Sequence, residues 1–592
     1  MKLDILRNEI IGRNKKFTTP YGERIITYAD YTASGKPLKF VEKYMMEIEE
    51  YYANTHTEDD LTGELMTKLL HKSEKIIKEE LNASKNCYVI PAGTGATGAI
   101  LSFSKIIGVY MPPATKNRII DFLINSELSR NSNDYVMNLI NTEFKKMMPV
   151  VFIGPYEHHS NILMWRESLV EVVEIGLDQN GYLDLADLEK KVSDTRYANR
   201  FKIGSFSAAS NVTGIKTDVY EVAKILHANR AIACFDFAAS APYVEINMNK
   251  NKESYFDAVF FSPHKFIGGP GAAGILVINS KLYDNKIPPT VSGGGTVDYV
   301  SSIGQDYLDN VEEREKAGTP GILQVIKAGL AIQLKGRIGT EIIEEKEQYF
   351  TEKIINKFRD NPAVEILGPA DPSKRVSIIS FMIKYKDRYL HHRFVTKLMN
   401  DLFGIQSRAG CACAGPYGHS LLKIGTEKSL KFREIILNGI NSLKPGWVRI
   451  NFHYAMSEYE VDFIIEAIDF VSKNAYLFLK DYTVDLKTGG WSNIKKMEEH
   501  AIVRDFGINE SFRYIGTDIP VNEEINTAAE YKQYLSEAEK FAMDRKNNFT
   551  ESFNQFKDDK LEALNWFYFI NCENNIIEGK KAKSNDCICC AD

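Results

Sequence analysis

The chain has 592 residues, 44% of them hydrophobic and 26% charged, enough for a large core and at least one further domain. Its formal net charge of -6, with acidic and basic residues interspersed, argues against a dedicated nucleic-acid surface. Charges throughout Met1–Glu9 and the lack of any apolar run of membrane length argue against a signal peptide and a membrane span. A cytoplasmic protein acting on a small soluble molecule is expected.

Residues 1–39 read as an N-terminal segment that packs with a later, smaller domain. From 40 to 323, short β-rich runs alternate with amphipathic stretches, the pattern of an α/β fold with a large, doubly wound, mostly parallel sheet. Strands are predicted at Cys87–Ile90, Val150–Ile153, Ala233–Asp236, Ala258–Phe261 and Gly274–Ile278, and helices at Asp187–Val192 and Val219–His227. Asn117–Met148 reads as an inserted helical segment. Residues 324–474 form a smaller α+β domain with a strand at Val376–Phe381 and a helix over Glu458–Val471. Residues 475–592 are a C-terminal extension, helical and charged over Glu523–Met543. Eight cysteines, at 87, 234, 411, 413, 572, 587, 589 and 590, lack the spacing of a disulfide framework and read as thiols.

The strongest chemical signal is Ser262-Pro263-His264-Lys265-Phe266-Ile267-Gly268-Gly269, which follows one strand and precedes another. A lysine there can serve as anchor and base once bonded to an aldehyde cofactor, while Ser262 and His264 can donate to a phosphate. Asp236 ends an apolar strand, where a carboxylate needs a cation; a protonated pyridine nitrogen is one. Pro91-Ala92-Gly93-Thr94-Gly95-Ala96 runs from strand to helix, the geometry that seats a phosphate on backbone N–H groups. His158 follows another strand and can stack on a ring. Asn211 sits in Ser210-Asn211-Val212-Thr213-Gly214, where turn chemistry also explains an amide.

Taken in order, these segments resemble the class V aminotransferases (pyridoxal-phosphate, PLP, fold type I), and within them the cysteine desulfurase and selenocysteine lyase branch. The likeness spans roughly Tyr28–Val471. It implies PLP as cofactor, Lys265 as the Schiff-base lysine, Asp236 at the pyridine nitrogen, His158 stacked on the ring, and Thr94 and Gly95 on the phosphate with Ser262 and His264. Asn211 falls to cofactor or substrate. Ala317-Gly318-Thr319-Pro320 resembles the segment that carries a threonine, here Thr319, to the neighbouring subunit's phosphate, so a homodimer is implied.

In Ser407-Arg408-Ala409-Gly410-Cys411-Ala412-Cys413 the family's sulfur-accepting thiol falls on Cys413, with Cys411 additional. A soft thiolate suits attack on a substrate sulfur. Cys-x-Cys without two further nearby ligands is a poor zinc signature, and no metal site is expected. Arg449 matches the substrate-carboxylate arginine, whose planar fork binds a carboxylate bidentately. The resemblance thus implies an enzyme that converts L-cysteine to L-alanine and passes persulfide sulfur through Cys413 to an acceptor protein. Ala239 stands where many desulfurases have glutamine, and the phosphate loop reads Gly-Thr-Gly-Ala-Thr. The long extension resembles that of molybdenum-cofactor sulfurase-like members.

Overall fold

The computed structural model describes residues 2–570 apart from 56, 126–143, 518–523, 550–552 and 557. Most of the expected insertion and the cysteines at 587, 589 and 590 lie outside these residues. The described residues divide into two compact units, one made of 32–346 with 373–376, the other of 2–31, 347–372 and 377 onward.

The first unit is built on a seven-stranded sheet. Its strands, in chain order, are β1 (Cys87–Pro91), β2 (Val150–Ile153), β3 (Glu171–Glu174), β4 (Lys202–Ser207), β5 (Ala231–Asp236), β6 (Ala258–Phe261) and β7 (Ile275–Asn279). They lie in the order β1-β7-β6-β5-β4-β2-β3. Pairing is parallel from β6 to β3, and β7 runs antiparallel to both β1 and β6. Every residue of β2, β4 and β6 is buried. A parallel strand covered on both faces needs continuous rather than alternating apolar sequence, as Val-Val-Phe-Ile and Ala-Val-Phe-Phe provide.

Because β7 alone is reversed, the C-terminal ends of β1, β2, β4, β5 and β6 share one edge of the sheet. In open α/β sheets that edge is where ligands bind. The helices Leu185–Val192 and Val219–Ala228 begin at aspartate caps: Asp184 accepts from the N–H groups of Ala186 and Asp187, and Asp218 from that of Glu221, satisfying donors a helix start leaves open. The helix Ile322–Ile338 also belongs to this unit, which therefore runs past 323 to 346.

The second unit holds a five-stranded antiparallel sheet. Four of its strands, β8 (Val364–Ile366), β9 (Ile378–Tyr385), β10 (Arg408–Gly410) and β11 (Trp447–Asn451), follow the order β8-β9-β11-β10, and Arg388–Tyr389 pairs with β9. The strand expected at Val376–Phe381 starts only at Ile378. Residues 374–376 bond elsewhere, Lys374 accepting from the N–H of Lys216 and Val376 donating to the carbonyl of Gly214.

The C-terminal extension enters this unit's core. Its helix Thr527–Asn547, capped by Asn526, buries Tyr531 and Tyr534. The Tyr531 ring stacks on Phe463 at 3.9 Å and 1°. The same helix pairs Glu530 with Lys16 and Glu537 with Arg24, which ties down the N-terminal strands. No helix among the described residues is long and apolar enough to cross a membrane.

Candidate active site

The loop after β1 enters the helix Ala96–Ile106, whose cap, Gly95, offers no side-chain hydrogen bond. Ser262, from the loop after β6, fills part of that gap: its Oγ accepts from the Ala96 N–H at 2.8 Å. A Cβ on Gly95 would lie 3.0 Å from Ser262 Oγ and 3.6 Å from His264 Nε2, so the glycine lets a hydroxyl, an imidazole and a helix N-terminus converge. Gly274 closes the loop from behind. Its backbone exchanges hydrogen bonds with Ala92 and Gly93, and a Cβ there would stand 2.4 Å from the Gly95 carbonyl oxygen. Burial, with the charge of Lys265, pushes His264 down to about 4, leaving it neutral near pH 7.

Thr97 Oγ1 meets Ser160 Oγ at 2.7 Å, and Ser160 Oγ lies 3.0 Å from His158 Nδ1, which also accepts from the Ser160 N–H. These contacts link the first turn of that helix to His158 after β2. Beneath His158, Glu157 is 1% exposed. It accepts from the N–H groups of Gly154 and Ser207, from Ser207 Oγ and from Asn161 Nδ2, clamping the ends of β2 and β4 together. Burial raises it to about 7 despite those bonds. Asp236, at the end of β5, is 4% exposed, and burial raises it too, opposed by a hydrogen bond from the Ala238 N–H and by the charge of Lys265. Ser240 Oγ is buried with no hydrogen-bond partner among the described residues. Asn211 is buried in the turn after β4, where Ser210 Oγ accepts from the N–H groups of Val212 and Thr213.

In the second unit, antiparallel pairing sets Arg408 of β10 directly opposite Arg449 of β11. Like charges so placed repel, and Asp30 resolves this. Its Oδ2 accepts from Arg408 Nε and its Oδ1 from Arg449 Nη2, each at 2.9 Å. Arg449 is 4% exposed; burial lowers its pKa, opposed chiefly by Asp30. Beyond β10 the chain turns through Ala412 and Cys413, with φ of 48° and 55°, a left-handed region rarely adopted outside glycine. Cys411 is half-buried and Cys413 exposed, and Cys413 lies close enough to Arg449 to act on its charge.

The family model for class-V aminotransferases matches residues 129–464. The chain belongs to the class-V aminotransferase family. As a member it is a PLP-dependent enzyme. It is 31% identical to a probable cysteine desulfurase of Pyrococcus abyssi over 290 residues, 48% of this chain and 68% of that protein. A probable cysteine desulfurase of Streptomyces coelicolor is 23% identical, covering 76% of this chain and 93% of its own. Among solved structures, the apo cysteine desulfurase of Thermococcus onnurineus aligns with a TM-score of 0.57 at 25% identity, over 75% of this chain and 94% of that one. The Escherichia coli desulfurase CsdA shares the fold at the same TM-score and 18% identity, over 79% and 98% of the two chains.

The residues of the first unit fit the class-V cofactor. A helix N-terminus with a serine and a neutral histidine suits a phosphate. A buried carboxylate suits a pyridinium, and burial already raises the Asp236 pKa. Lys265, after β6, offers an amine. Thr94, Gly95, His158, Asn211, Asp236, Ser262, His264 and Lys265 all follow strand ends on one sheet edge, whereas Thr319 is exposed and accepts a hydrogen bond from Asn54. In the second unit Cys413 lies within electrostatic reach of Arg449. Sequence reasoning passed over Glu157 and Asp30. Asp30 follows the short strand Thr27–Tyr28, and a carboxylate after apolar residues is the signal that singled out Asp236.

Proposed function

We propose that this class-V enzyme is a cysteine desulfurase that takes sulfur from L-cysteine onto Cys413 and leaves L-alanine. The observation that carries this reading is the pairing in the second unit of a buried arginine, held by Asp30, with an exposed cysteine on a left-handed turn. Arg449 can bind a substrate carboxylate through its planar fork, and Cys413 can meet a substrate sulfur.

PLP, when bound, supplies an electron sink for the substrate's Cα. Lys265 anchors it, and its Nζ then takes the Cα proton and later returns one. Asp236 holds the ring nitrogen's proton, the cation its burial calls for. His158, oriented by Ser160, would lie against the ring, while the Ala96–Ile106 N-terminus, Thr94, Gly95, Ser262 and His264 would hold the phosphate. The Cys413 thiolate attacks the substrate Sγ. The carbon–sulfur bond breaks, its electron pair stays with the substrate, and protonation completes alanine. Thr319, exposed, is assigned to a second subunit's phosphate in a homodimer.

The test is incubation of wild type and Cys413→Ala with L-cysteine, following cofactor absorbance, alanine and sulfide. Wild type alone should form alanine and release sulfide, with the absorbance kept in both. Lys265→Ala should lose the visible cofactor band and slow alanine formation by about 10²–10⁴-fold. Sulfur transfer surviving in Cys413→Ala sinks the Cys413 assignment, and cofactor binding without either product points to another reaction of the family.

A further inference from the structure

The second thiol, Cys411, has no task in the reaction above, yet it shares a turn with the first. The Ala414 N–H donates to the Cys411 carbonyl at 3.2 Å, closing the turn Cys411-Ala412-Cys413-Ala414 with both central residues in the left-handed region. Neither is glycine or asparagine, so the turn is held against a steric cost, a pattern that clusters at functional sites. Consecutive Cα atoms lie about 3.8 Å apart, so residues two apart span at most about 7.5 Å, and a turn brings them within the roughly 4.4–6.8 Å that a disulfide bridges.

Resting on the desulfurase reading, we propose that Cys411 and Cys413 are a working dithiol pair. Cys411 discharges the sulfur held on Cys413 as free hydrogen sulfide, and an external dithiol resets the pair. The Cys411 thiolate attacks Sγ of the Cys413 persulfide. A Cys411–Cys413 bond forms, the bond between Cys413 Sγ and the outer sulfur breaks, and that sulfur leaves with its electron pair as HS⁻. The two cysteine sulfurs are oxidised to a disulfide while the persulfide's outer sulfur is reduced to sulfide. A dithiol reductant then restores both thiols and becomes a disulfide itself.

One feature favours this route over direct capture by an acceptor protein. A thiol two residues away attacks at the high effective concentration of a tethered group, whereas a separate protein must first dock.

The PLP-loaded full chain is given a single equivalent of L-cysteine per subunit without other thiols, then alkylated and digested, and the peptide spanning residues 409–423 is weighed. Wild type should release its sulfide and leave this peptide two hydrogens lighter and closed to alkylation, until dithiothreitol reopens it. Cys411→Ser and Cys411→Ala should form alanine, keep one extra sulfur atom on Cys413, and release sulfide at least about tenfold more slowly. A wild-type peptide that retains the extra sulfur, or sulfide release at the wild-type rate from the Cys411 variants, overturns the pair and leaves the desulfurase reading standing. No alanine from any of these proteins removes both.

Discussion

In the first unit the buried groups at the sheet edge are carboxylates, Glu157 and Asp236, both raised by burial, Glu157 to about 7. In the second unit three buried imidazoles are shifted the other way. His391 and His453 are pushed down to about 3, and His392 well below its ordinary value. Desolvation disfavours the charged form in both sets, but they respond to acid in opposite senses. A buried carboxylate with a raised pKa holds a proton the unfolded chain has lost, so Glu157 adds stability as pH falls from about 7 to 4.5. A buried histidine refuses a proton the unfolded chain accepts, so it withdraws stability as pH falls from 6.5 to about 3.

The largest expected effect follows from that contrast. Each histidine withdraws up to about 1.4 kcal/mol per pH unit below 6.5, roughly 4 for the three together. Amide hydrogen exchange between pH 7 and 5 should therefore show β9, β11 and the helix His392–Phe403 losing protection well before β2, β4 and β5. If both units lose protection together, the contrast fails.

Next in size is Asp30→Ala. It removes the carboxylate that Arg449 shares with the opposed Arg408, a loss of about 3 kcal/mol that chemical denaturation can measure. A loss below about 1 kcal/mol, the range of exposed ion pairs, would mean that the guanidinium finds another partner. The smallest effect belongs to the first unit. Gly274→Ala forces a methyl against the Gly95 and Ala92 carbonyl oxygens, which should cost about 1–3 kcal/mol and loosen the cofactor. Cofactor absorbance after dialysis reads the loosening, and full retention would show that the loop moves aside.

The first unit was legible because its signals are local. Uninterrupted apolar tetrads mark strands buried on both faces, and each chemical residue follows such a strand within a few positions, as Asp236 ends β5 and Lys265 follows β6. Boundaries slipped where a distant partner intervened. Gly274 is not a strand residue because its backbone is committed to the β1 loop, and β9 begins at Ile378 because the residues before it bond to 214–216. In the second unit Cys413 and Arg449 were readable as residue types, but the pairing of Asp30 with Arg449 was not, since that link crosses most of the chain.

Taken alone, the sequence determined the fold class and the family, because hydrophobic periodicity and short motifs are written in neighbouring positions. Only the tertiary structure decided that Glu157 clamps two strand ends, that Asp30 joins two opposed arginines, and that the C-terminal helix at Thr527–Asn547 buries its tyrosines in the second core. Each of these depends on burial and on partners far apart in the chain, and desolvation and long-range hydrogen bonds leave no local pattern to read.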